Sequence, residues 1–455
     1  MPAVYPFEAV QFHLDPGRSD LSDQVAPPYD VLDIRGKQSL LNKSPRNIVA
    51  IDLPHVPAKE LGPAETYAKA GAQFREWLAP GVGGLLHKRQ KPALFAYRQT
   101  FRFDGKDVQR CGMACTLDIK PFGPSSGGGI LPHEETFSGP KEDRMALMKA
   151  TRAQLSPIFG LHPDENGTAT SLVRSVMSSR PADITARMEH DHVAHEVWAI
   201  DDPATIVAYA RALTGEDVFI ADGHHRYTTA LNYLAAQRAE RTLPADHPAT
   251  RCMFVLVSMS DPGLVIGPTH RVIGGMSGYS IEAFMAAAAG ILTFTPVARG
   301  GLAELHSALL SSHALGEPRV GLWDFKTGRG MLATPATPDP LRDRFGSKPI
   351  EWRTLDVAFC QYVLVERLCQ GVMNAGQPVK WAFPHSVAEV EEIGSGRETG
   401  AGGGTGFAQL AVLVRPTPLS AVRAVSRANE LMPQKSTFFY PKLATGLFMH
   451  DVSGS

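Results

Sequence analysis

Four side chains that can bind phosphate or move a proton surround one glycine, Gly223. They are Asp222, His224, His225 and Arg226. Imidazoles transfer protons near neutral pH, and a guanidinium can bind phosphate through two parallel hydrogen bonds. A cation at a helix start costs about 0.3–1 kcal/mol unless an anion binds beside it. We therefore predict a site here, with Asp222, His224 and His225 as catalytic candidates and Arg226 as an exposed phosphate ligand. The alternative is a capping aspartate with exposed polar neighbours.

The residues on either side predict how this turn is held. Residues 218–221 form a continuous apolar run, which is typical of a strand buried on both faces. From Tyr227 to Ala235, apolar residues recur at helical spacing. Gly223 permits a sharp turn, and Asp222 is placed to cap the helix. The sequence therefore predicts a strand, a tight turn and a helix.

A second polar stretch, Pro132-His133-Glu134-Glu135-Thr136, precedes a helix predicted over residues 140–155. A loop that enters a helix is a common position for ligand binding. Glu134, like Asp222, can accept the proton of a substrate hydroxyl or bind magnesium, and His133 can assist proton transfer. We therefore add His133 and Glu134 to the catalytic candidates.

Basic and hydroxyl side chains in two further turns suit the recognition of phosphate or carboxylate. One turn follows a helix predicted over residues 418–432, and the other pairs a histidine with an arginine at a strand end. For the first turn, a structured C-terminal loop with solvated lysines is an equal alternative. The candidates in these turns are His270, Arg271, Lys435, Ser436, Thr437 and Lys442.

Other patterns were weighed as metal or nucleotide sites. His190, His192 and His195 suggest a metal site, but no acidic or cysteine partner stands at a fixed spacing, and a solvated strand face is favoured. Five scattered cysteines give no zinc pattern and indicate reduced, buried thiols. Residues 400–406 contain five glycines but lack the ending of a P-loop and precede a strand, which predicts a loop. Whether a metal binds, and which, stays open.

Composition narrows the class of protein. The 455 residues carry 45 basic and 46 acidic side chains, a formal charge of −1, so nothing indicates binding to nucleic acid or an anionic membrane. No apolar run reaches about 18 residues, and the N-terminus lacks the apolar core of a signal peptide. We therefore expect a cytoplasmic protein with a small-molecule substrate and no membrane partner.

Alternating helices and strands predict a mixed α/β architecture of mixed sheets with flanking helices, with α+β as the alternative. Residues 47–53 and 188–200 are among the predicted strands. The length allows two or three domains. Loop composition suggests three lobes, residues 1–160, 161–300 and 301–455, with the Asp222 turn in the central lobe.

Several motifs in one order resemble the family of domain of unknown function 1015 (DUF1015) over nearly the whole chain. They include residues 26–31 around Tyr29 and Asp30, residues 97–99, and residues 132–134 with Asp143 and Arg144. Residues 221–227, 268–271 and 432–442 complete the series. The resemblance adds Tyr29, Asp30, Asp143 and Arg144 to the candidate phosphate- or substrate-binding residues.

The turn from Asp222 to Arg226 also resembles the strand–turn–helix signature of the ParB/sulfiredoxin superfamily. Members of that superfamily bind nucleotides at this turn, and they include free-serine kinases, sulfiredoxins and CTP-binding partition proteins. The resemblance implies a phosphate cradle made from Arg226 and the helix N-terminus.

Three functions remain open on these grounds. The first is a phosphotransferase that uses a nucleotide or pyrophosphate, with Mg²⁺ as a candidate cofactor, to phosphorylate a small hydroxylated metabolite such as free serine. The second is a metal-dependent phosphoester hydrolase, in which the same His, Asp and Glu side chains are ligands. The third is a nucleotide-binding regulator without catalysis. We favour the phosphotransferase.

Overall fold

The computed structural model describes residues 2–14, 19–81, 84–135, 138–297, 300–311, 317–397 and 406–454. The prediction of a loop at residues 400–406 lies outside these residues except at Gly406. Helices and strands alternate along the described chain, and the predicted mixed α/β architecture is confirmed. No helix in these ranges is both long enough and apolar enough to cross a bilayer.

The strands are β1 (Val4–Tyr5), β2 (Ala9–Phe12), β3 (Leu86–Lys88), β4 (Leu94–Phe103), β5 (Lys106–Asp118), β6 (Ile130–Leu131), β7 (Ala153–Gln154), β8 (Ile158–His162), β9 (Ile184–Arg187), β10 (Ala194–Ile200), β11 (Val218–Asp222), β12 (Arg251–Ser258), β13 (Val265–Gly267), β14 (Arg271–Gly274), β15 (Leu292–Pro296), β16 (Val320–Asp324), β17 (Arg329–Pro335), β18 (Lys380–Ala382), β19 (Ala408–Val414), β20 (Phe438–Tyr440) and β21 (Met449–Asp451).

The α-helices are α1 (Ile34–Lys43), α2 (Val49–Asp52), α3 (Ala64–Leu78), α4 (Ser138–Thr151), α5 (Thr168–Ser179), α6 (Pro203–Ala212), α7 (His224–Glu240), α8 (Ile281–Ala287), α9 (Gly301–Leu310), α10 (Arg342–Phe345), α11 (Ile350–Arg353), α12 (Asp356–Phe359), α13 (Val387–Gly394) and α14 (Leu419–Arg427). A π-helical stretch, Cys360–Met373, continues α12, and Tyr29–Val31 and Pro248–Thr250 are short 3₁₀ turns.

The chain divides into two compact units. The first comprises Met1–Pro132, Thr136–Val265 and Pro441–Ser455, and the second comprises His133–Glu135 and Ile266–Tyr440. The three lobes suggested by loop composition stay a prediction.

The first unit contains a mixed sheet of nine strands. Its order is β6-β11-β8-β12-β5-β4-β10-β9, with β1 beside β5. Strand β11 is parallel to β6 and antiparallel to β8, so it lies inside the sheet. Residues 218–221 are buried, as their apolar run predicts. Because β11 is fixed in the sheet, the point at which the chain turns into α7 is fixed as well.

Helices and a smaller sheet complete the first unit. Helix α4 packs against both α3 and α7. A four-stranded sheet, β3-β2-β21-β7, pairs the C-terminal strand β21 with the N-terminal strand β2. This pairing ties residues 441–455 to the first unit and thereby places Lys442 in the same unit as Asp222.

The second unit is built on an antiparallel sheet of six strands, in the order β15-β17-β16-β19-β14-β18. Leu322 of β16 and Val412 of β19 are paired across the sheet and fully buried. They share one hydrophobic core with Trp352 and Phe359. The apolar faces of the sheet and of the helical segment that includes α12 thus bury each other.

The strand predicted over residues 47–53 is wrong, because this segment contains α2. The side-chain amide of Asn47 donates to the backbone carbonyls of Asp23 (3.0 Å) and Val25 (2.7 Å). Its side-chain oxygen accepts a hydrogen bond from the Val49 backbone N–H at 3.0 Å. These bonds cap a helical turn, and the helical conformation prevails over the strand propensity of the apolar residues.

The strand predicted over residues 188–200 is too long. Only Ala194–Ile200 form β10, and a turn precedes it. Asp191 accepts a hydrogen bond from the Val193 N–H at 3.1 Å, and His192 has a left-handed φ of 56°. This turn reverses the chain so that β10 pairs with β9 in antiparallel register.

Candidate functional site

A glycine forms the turn between β11 and α7. Gly223 has a φ of 94°, in the left-handed region that favours glycine. A Cβ at this position would lie 3.1 Å from the guanidinium carbon of Arg226. The helix starts at His224, and its N-cap residue, Gly223, has no side chain to cap the first turn. The strand therefore leads through a single glycine into the helix N-terminus.

Asp222 forms ion pairs with two cations at this turn. Its Oδ2 accepts from Arg226 Nη2 at 2.5 Å, and its Oδ1 accepts from Lys442 Nζ. Burial raises the pKa of Asp222, but the Lys442 ammonium and the Arg226 guanidinium outweigh burial and hold this pKa well below its usual range. Asp222 is therefore ionised at neutral pH, and it fixes the positions of both cations.

Two expectations about this turn are corrected. Asp222 does not cap α7, because Lys442 and Arg226 bind its carboxylate and Gly223 occupies the cap position. Arg226 is not an exposed ligand: its side chain is 12% exposed, and its guanidinium also donates to the carbonyl oxygen of Pro157. Arg226 therefore stabilises the turn through its hydrogen bonds to Asp222 and Pro157, and it also adds a positive charge there.

The two histidines of the turn differ in their surroundings. His224 is buried, whereas His225 is half-buried. Burial lowers the pKa of His225 to about 4; Asp30 opposes this effect, and Lys59 and Lys141 add to it. His225 is therefore neutral at pH 7. Lys59 Nζ lies 4.0 Å from Asp30 Oδ2, so charged groups of both signs lie close to this imidazole.

Tyr29, Asp143 and Arg144 lie in a buried polar network. Arg144 Nε donates to Asp143 Oδ2 at 2.8 Å, and Arg144 Nη1 donates to the backbone carbonyl of Asp52 at 2.7 Å. The guanidinium carbon of Arg144 lies 3.8 Å from the centre of the Tyr29 ring. Arg144 and Arg226 line the same cavity of about 50 Å³. This network therefore links α2 to α4 beside the side chain of Arg226.

His133 and Glu134 belong to the second unit, where both contact the turn at residues 432–437. The Met432 N–H donates to the carbonyl oxygen of His133 at 2.7 Å, and the Lys435 N–H donates to Glu134 Oε1 at 3.2 Å. His133 Nε2 lies 2.8 Å from Thr437 Oγ1. The structure therefore brings together two stretches that the sequence predicted separately.

Arg271 and Ser436 stabilise the same turn, whereas His270 lies apart from it. Arg271 is buried and donates to the carbonyl oxygen of Lys435 at 2.9 Å. Ser436 donates to the carbonyl oxygen of Pro433. His270 is fully buried, and burial lowers its pKa to about 3. The side chain of Lys435 is exposed.

The three histidines considered as metal ligands have separate surroundings. His195 is buried, with Nδ1 2.6 Å from the Tyr97 hydroxyl oxygen, and His190 lies 3.3 Å from Asp191. Within the described part of the chain, no three or more His, Cys, Asp or Glu side chains are placed to hold a metal ion. The five cysteines are buried and form no disulfides.

Sequence reasoning missed Lys59 and Asp52. Asp52 follows the apolar run at residues 48–51, and an acidic residue in that position was an available signal. Lys59 lies in a loop with a left-handed φ of 75°, and nothing in the local sequence marks it. The path of the chain over residues 52–59 places Asp52 at the cavity lined by Arg226 and places Lys59 near His225.

Solved structures with a similar backbone include two of free serine kinase. The complex with AMP is 12% identical, with a TM-score of 0.33, and the match covers 70% of this chain and 88% of that chain. A mutant in complex with ADP is 11% identical, with a TM-score of 0.33, and the match covers 72% of this chain and 95% of that chain.

A third similar structure is C-terminally truncated SbnI from Staphylococcus aureus. It is 10% identical, with a TM-score of 0.32, and the match covers 70% of this chain and 82% of that chain. No curated protein matches the chain. The family described as "Protein of unknown function (DUF1015)" matches residues 4–337. The resemblance in the sequence motifs is thereby confirmed, and the chain belongs to the DUF1015 family.

Proposed function

We propose that this protein is a small-molecule phosphotransferase, which binds a nucleotide or pyrophosphate at the β11–α7 turn and phosphorylates a small hydroxylated metabolite. One observation carries the proposal. A 17-residue helix begins after a glycine at its N-cap, directly beside an aspartate that holds Lys442 and Arg226 in place. The amides of a helix N-terminus and nearby cations together favour a phosphate group.

The charges around the turn support an anionic ligand. Lys442 and Arg226 lower the pKa of Asp222, and Lys59 and Lys141 lower the pKa of His225. Four cations therefore lie around the turn, together with the carboxylates of Asp222, Asp30 and Asp52, while His225 is neutral at pH 7. Phosphoryl transfer depends mainly on positioning and on neutralising charge, which such a cluster provides.

Proton transfer is assigned to Glu134, which stays a prediction from the sequence. Its Oε1 accepts a backbone N–H, an arrangement that orients the carboxylate without removing its charge. In the proposed reaction the substrate hydroxyl loses its proton to a general base as its oxygen attacks the transferred phosphorus. The bond from that phosphorus to the donor breaks, and the rest of the donor leaves: ADP from ATP, AMP from ADP or phosphate from pyrophosphate.

Asp222 does not fit a Mg²⁺ site. Both of its carboxylate oxygens accept hydrogen bonds from cations, and a divalent ion bound beside them would be repelled by the Lys442 ammonium and the Arg226 guanidinium. No step of the proposed reaction therefore uses a metal ion bound to Asp222.

The test is an incubation of the purified chain with ATP, ADP or pyrophosphate and a panel of small hydroxylated metabolites, including free serine. Mass spectrometry would detect a phosphorylated metabolite formed in step with donor consumption. Transfer is expected with at least one pair. Nucleotide binding without transfer across the panel would favour a regulator, and phosphate release that requires a tightly bound transition metal would favour a hydrolase.

A further inference from the structure

A second cavity lies in the first unit beside the pairing of β2 and β3. Its volume is about 340 Å³, within the range of small-molecule pockets. His13, His87 and Arg89 contribute its basic groups. The imidazole rings of His13 and His87 are stacked, with their centres 4.6 Å apart. None of these residues belongs to the β11–α7 turn.

The strand pairing puts these side chains in place. His87 lies opposite Gln11 in the β2–β3 ladder, and the His13 N–H donates to the Leu85 carbonyl oxygen at 2.8 Å. The Arg89 N–H donates to the Ala9 carbonyl oxygen at 3.0 Å, which continues the same ladder. The backbone therefore holds the basic side chains in fixed positions along one edge of the cavity.

Two side-chain nitrogens of this cavity lack a partner. Arg89 Nε and His87 Nδ1 are buried, and neither has a hydrogen bond in the described structure. A buried polar atom without a partner costs roughly 1–3 kcal/mol. The side chains of Arg89 and His87 also line the cavity, so a ligand there can accept hydrogen bonds from them.

The acidic group of the cavity is already neutralised. Asp183 lines the cavity, but its carboxylate oxygens lie 2.5 and 3.0 Å from the two terminal nitrogens of Arg180. It also accepts the Ala199 N–H at 2.7 Å. The guanidinium of Arg89 therefore faces no free acidic partner among the described lining residues, and the cavity favours an anion.

The remaining walls are apolar. Phe12 and Phe95 line the cavity together with Val197, and the guanidinium carbon of Arg89 lies 5.7 Å from the centre of the Phe95 ring. We propose that this cavity binds a small organic carboxylate, whose carboxylate oxygens accept hydrogen bonds from Arg89 and His87 and whose apolar body packs against Phe12 and Phe95. A planar guanidinium edge matches a carboxylate, and the aromatic walls match an apolar body.

Benzoate is the probe, because it joins a carboxylate to an apolar ring, and benzamide is the matched ligand of the same shape without the charge. Titration calorimetry at pH 7 would measure both with the wild-type chain, with Arg89→Gln and with Arg102→Gln. Arg102 is an exposed arginine bonded to the Gly105 carbonyl oxygen, so its variant controls for the loss of one positive charge.

We expect benzoate to bind about tenfold or more weakly to Arg89→Gln, as the loss of a charged hydrogen bond implies, and to bind unchanged to Arg102→Gln. Benzamide should bind more weakly than benzoate to the wild type. Equal binding of benzoate by wild type and Arg89→Gln, or equal binding of benzamide and benzoate, would overturn the proposal.

A second measurement is made on the wild-type chain, and a variant serves only to assign one resonance. The imidazole resonances of ¹³C-histidine-labelled wild type would be followed during titration with benzoate, with His87 assigned by the His87→Gln variant. The His87 resonance should shift and saturate. No shift up to about 10 mM benzoate, where even a millimolar site is nearly full, would also overturn the proposal.

Discussion

Replacing Lys442 by methionine removes one of the two cations that hold Asp222. Methionine keeps much of the length and apolar stem of lysine, so the change isolates the ammonium. Asp222 and Lys442 are 17% and 18% exposed at their side chains, so solvent screens their ion pair only partly. Asp222 would keep Arg226, at 2.5 Å, as its remaining partner.

The expected loss of stability depends on Arg226, the partner that Asp222 keeps. Removing one partner of a fully isolated buried pair costs roughly 3–5 kcal/mol, whereas a single charge-assisted hydrogen bond contributes about 1.5–3 kcal/mol. Because Arg226 still neutralises the carboxylate, we expect the lower range, about 2 kcal/mol for the local stability of β11. That corresponds to about 30-fold faster amide exchange of the segment.

Hydrogen–deuterium exchange followed by mass spectrometry measures this effect on the peptide covering residues 218–227. Lys91→Met is the matched control, since Lys91 is exposed and lies in the same unit. It should leave the exchange of residues 218–227 unchanged. If Lys442→Met exchanges at the same rate as Lys91→Met, the ion pair does not stabilise the turn and the reasoning is refuted.

Gly223→Ala should lower the melting temperature more than Gly105→Ala: both glycines have a left-handed φ, but only at Gly223 would the new Cβ meet other atoms within 4 Å, at 3.1 Å from Arg226. Equal losses in the two variants would contradict this steric explanation. The pKa of His225 falls from 6.5 to about 4 on folding because of burial, so its contribution to stability is complete above pH 6.5 and is lost as the pH falls to about 4. His225→Asn should therefore reduce the slope of stability against pH in this interval by up to one proton. A curve identical to that of the wild type would show that the pKa of His225 is not lowered. Glu134→Gln should slow phosphoryl transfer while sparing nucleotide affinity, measured by turnover and by calorimetry, and a normal rate would exclude Glu134 as the proton acceptor.

Local patterns predicted the central strand and helix well. The apolar run at residues 218–221 is buried in β11, and the helical spacing after Gly223 corresponds to α7. The segment at residues 47–53 was predicted wrongly, because Asn47 bonds to carbonyls of residues 23 and 25. Such bonds depend on the path of another segment, and a local pattern does not contain them.

The candidate site at the β11–α7 turn also depends on contacts that local sequence patterns do not contain. The sequence singled out Asp222 and Lys442, but it placed Asp222 as a helix cap and gave no sign that the two residues pair. They lie 220 positions apart, and Gln99 of β4 holds the chain at Lys442 by donating to its carbonyl oxygen at 2.9 Å. Arg226 was expected to be exposed for a similar reason, since the carbonyl oxygen of Pro157 that it binds comes from a distant segment.

The most direct test of the central claim is hydrogen–deuterium exchange of the wild-type chain with and without ADP, ATP or pyrophosphate. A ligand held by the N-terminus of α7 protects the amides of its first turn, and the account predicts slower exchange within residues 218–227 on addition of at least one of these compounds. Binding demonstrated by calorimetry with unchanged exchange in residues 218–227, or no binding of any of the three compounds, would contradict a phosphate site at this turn.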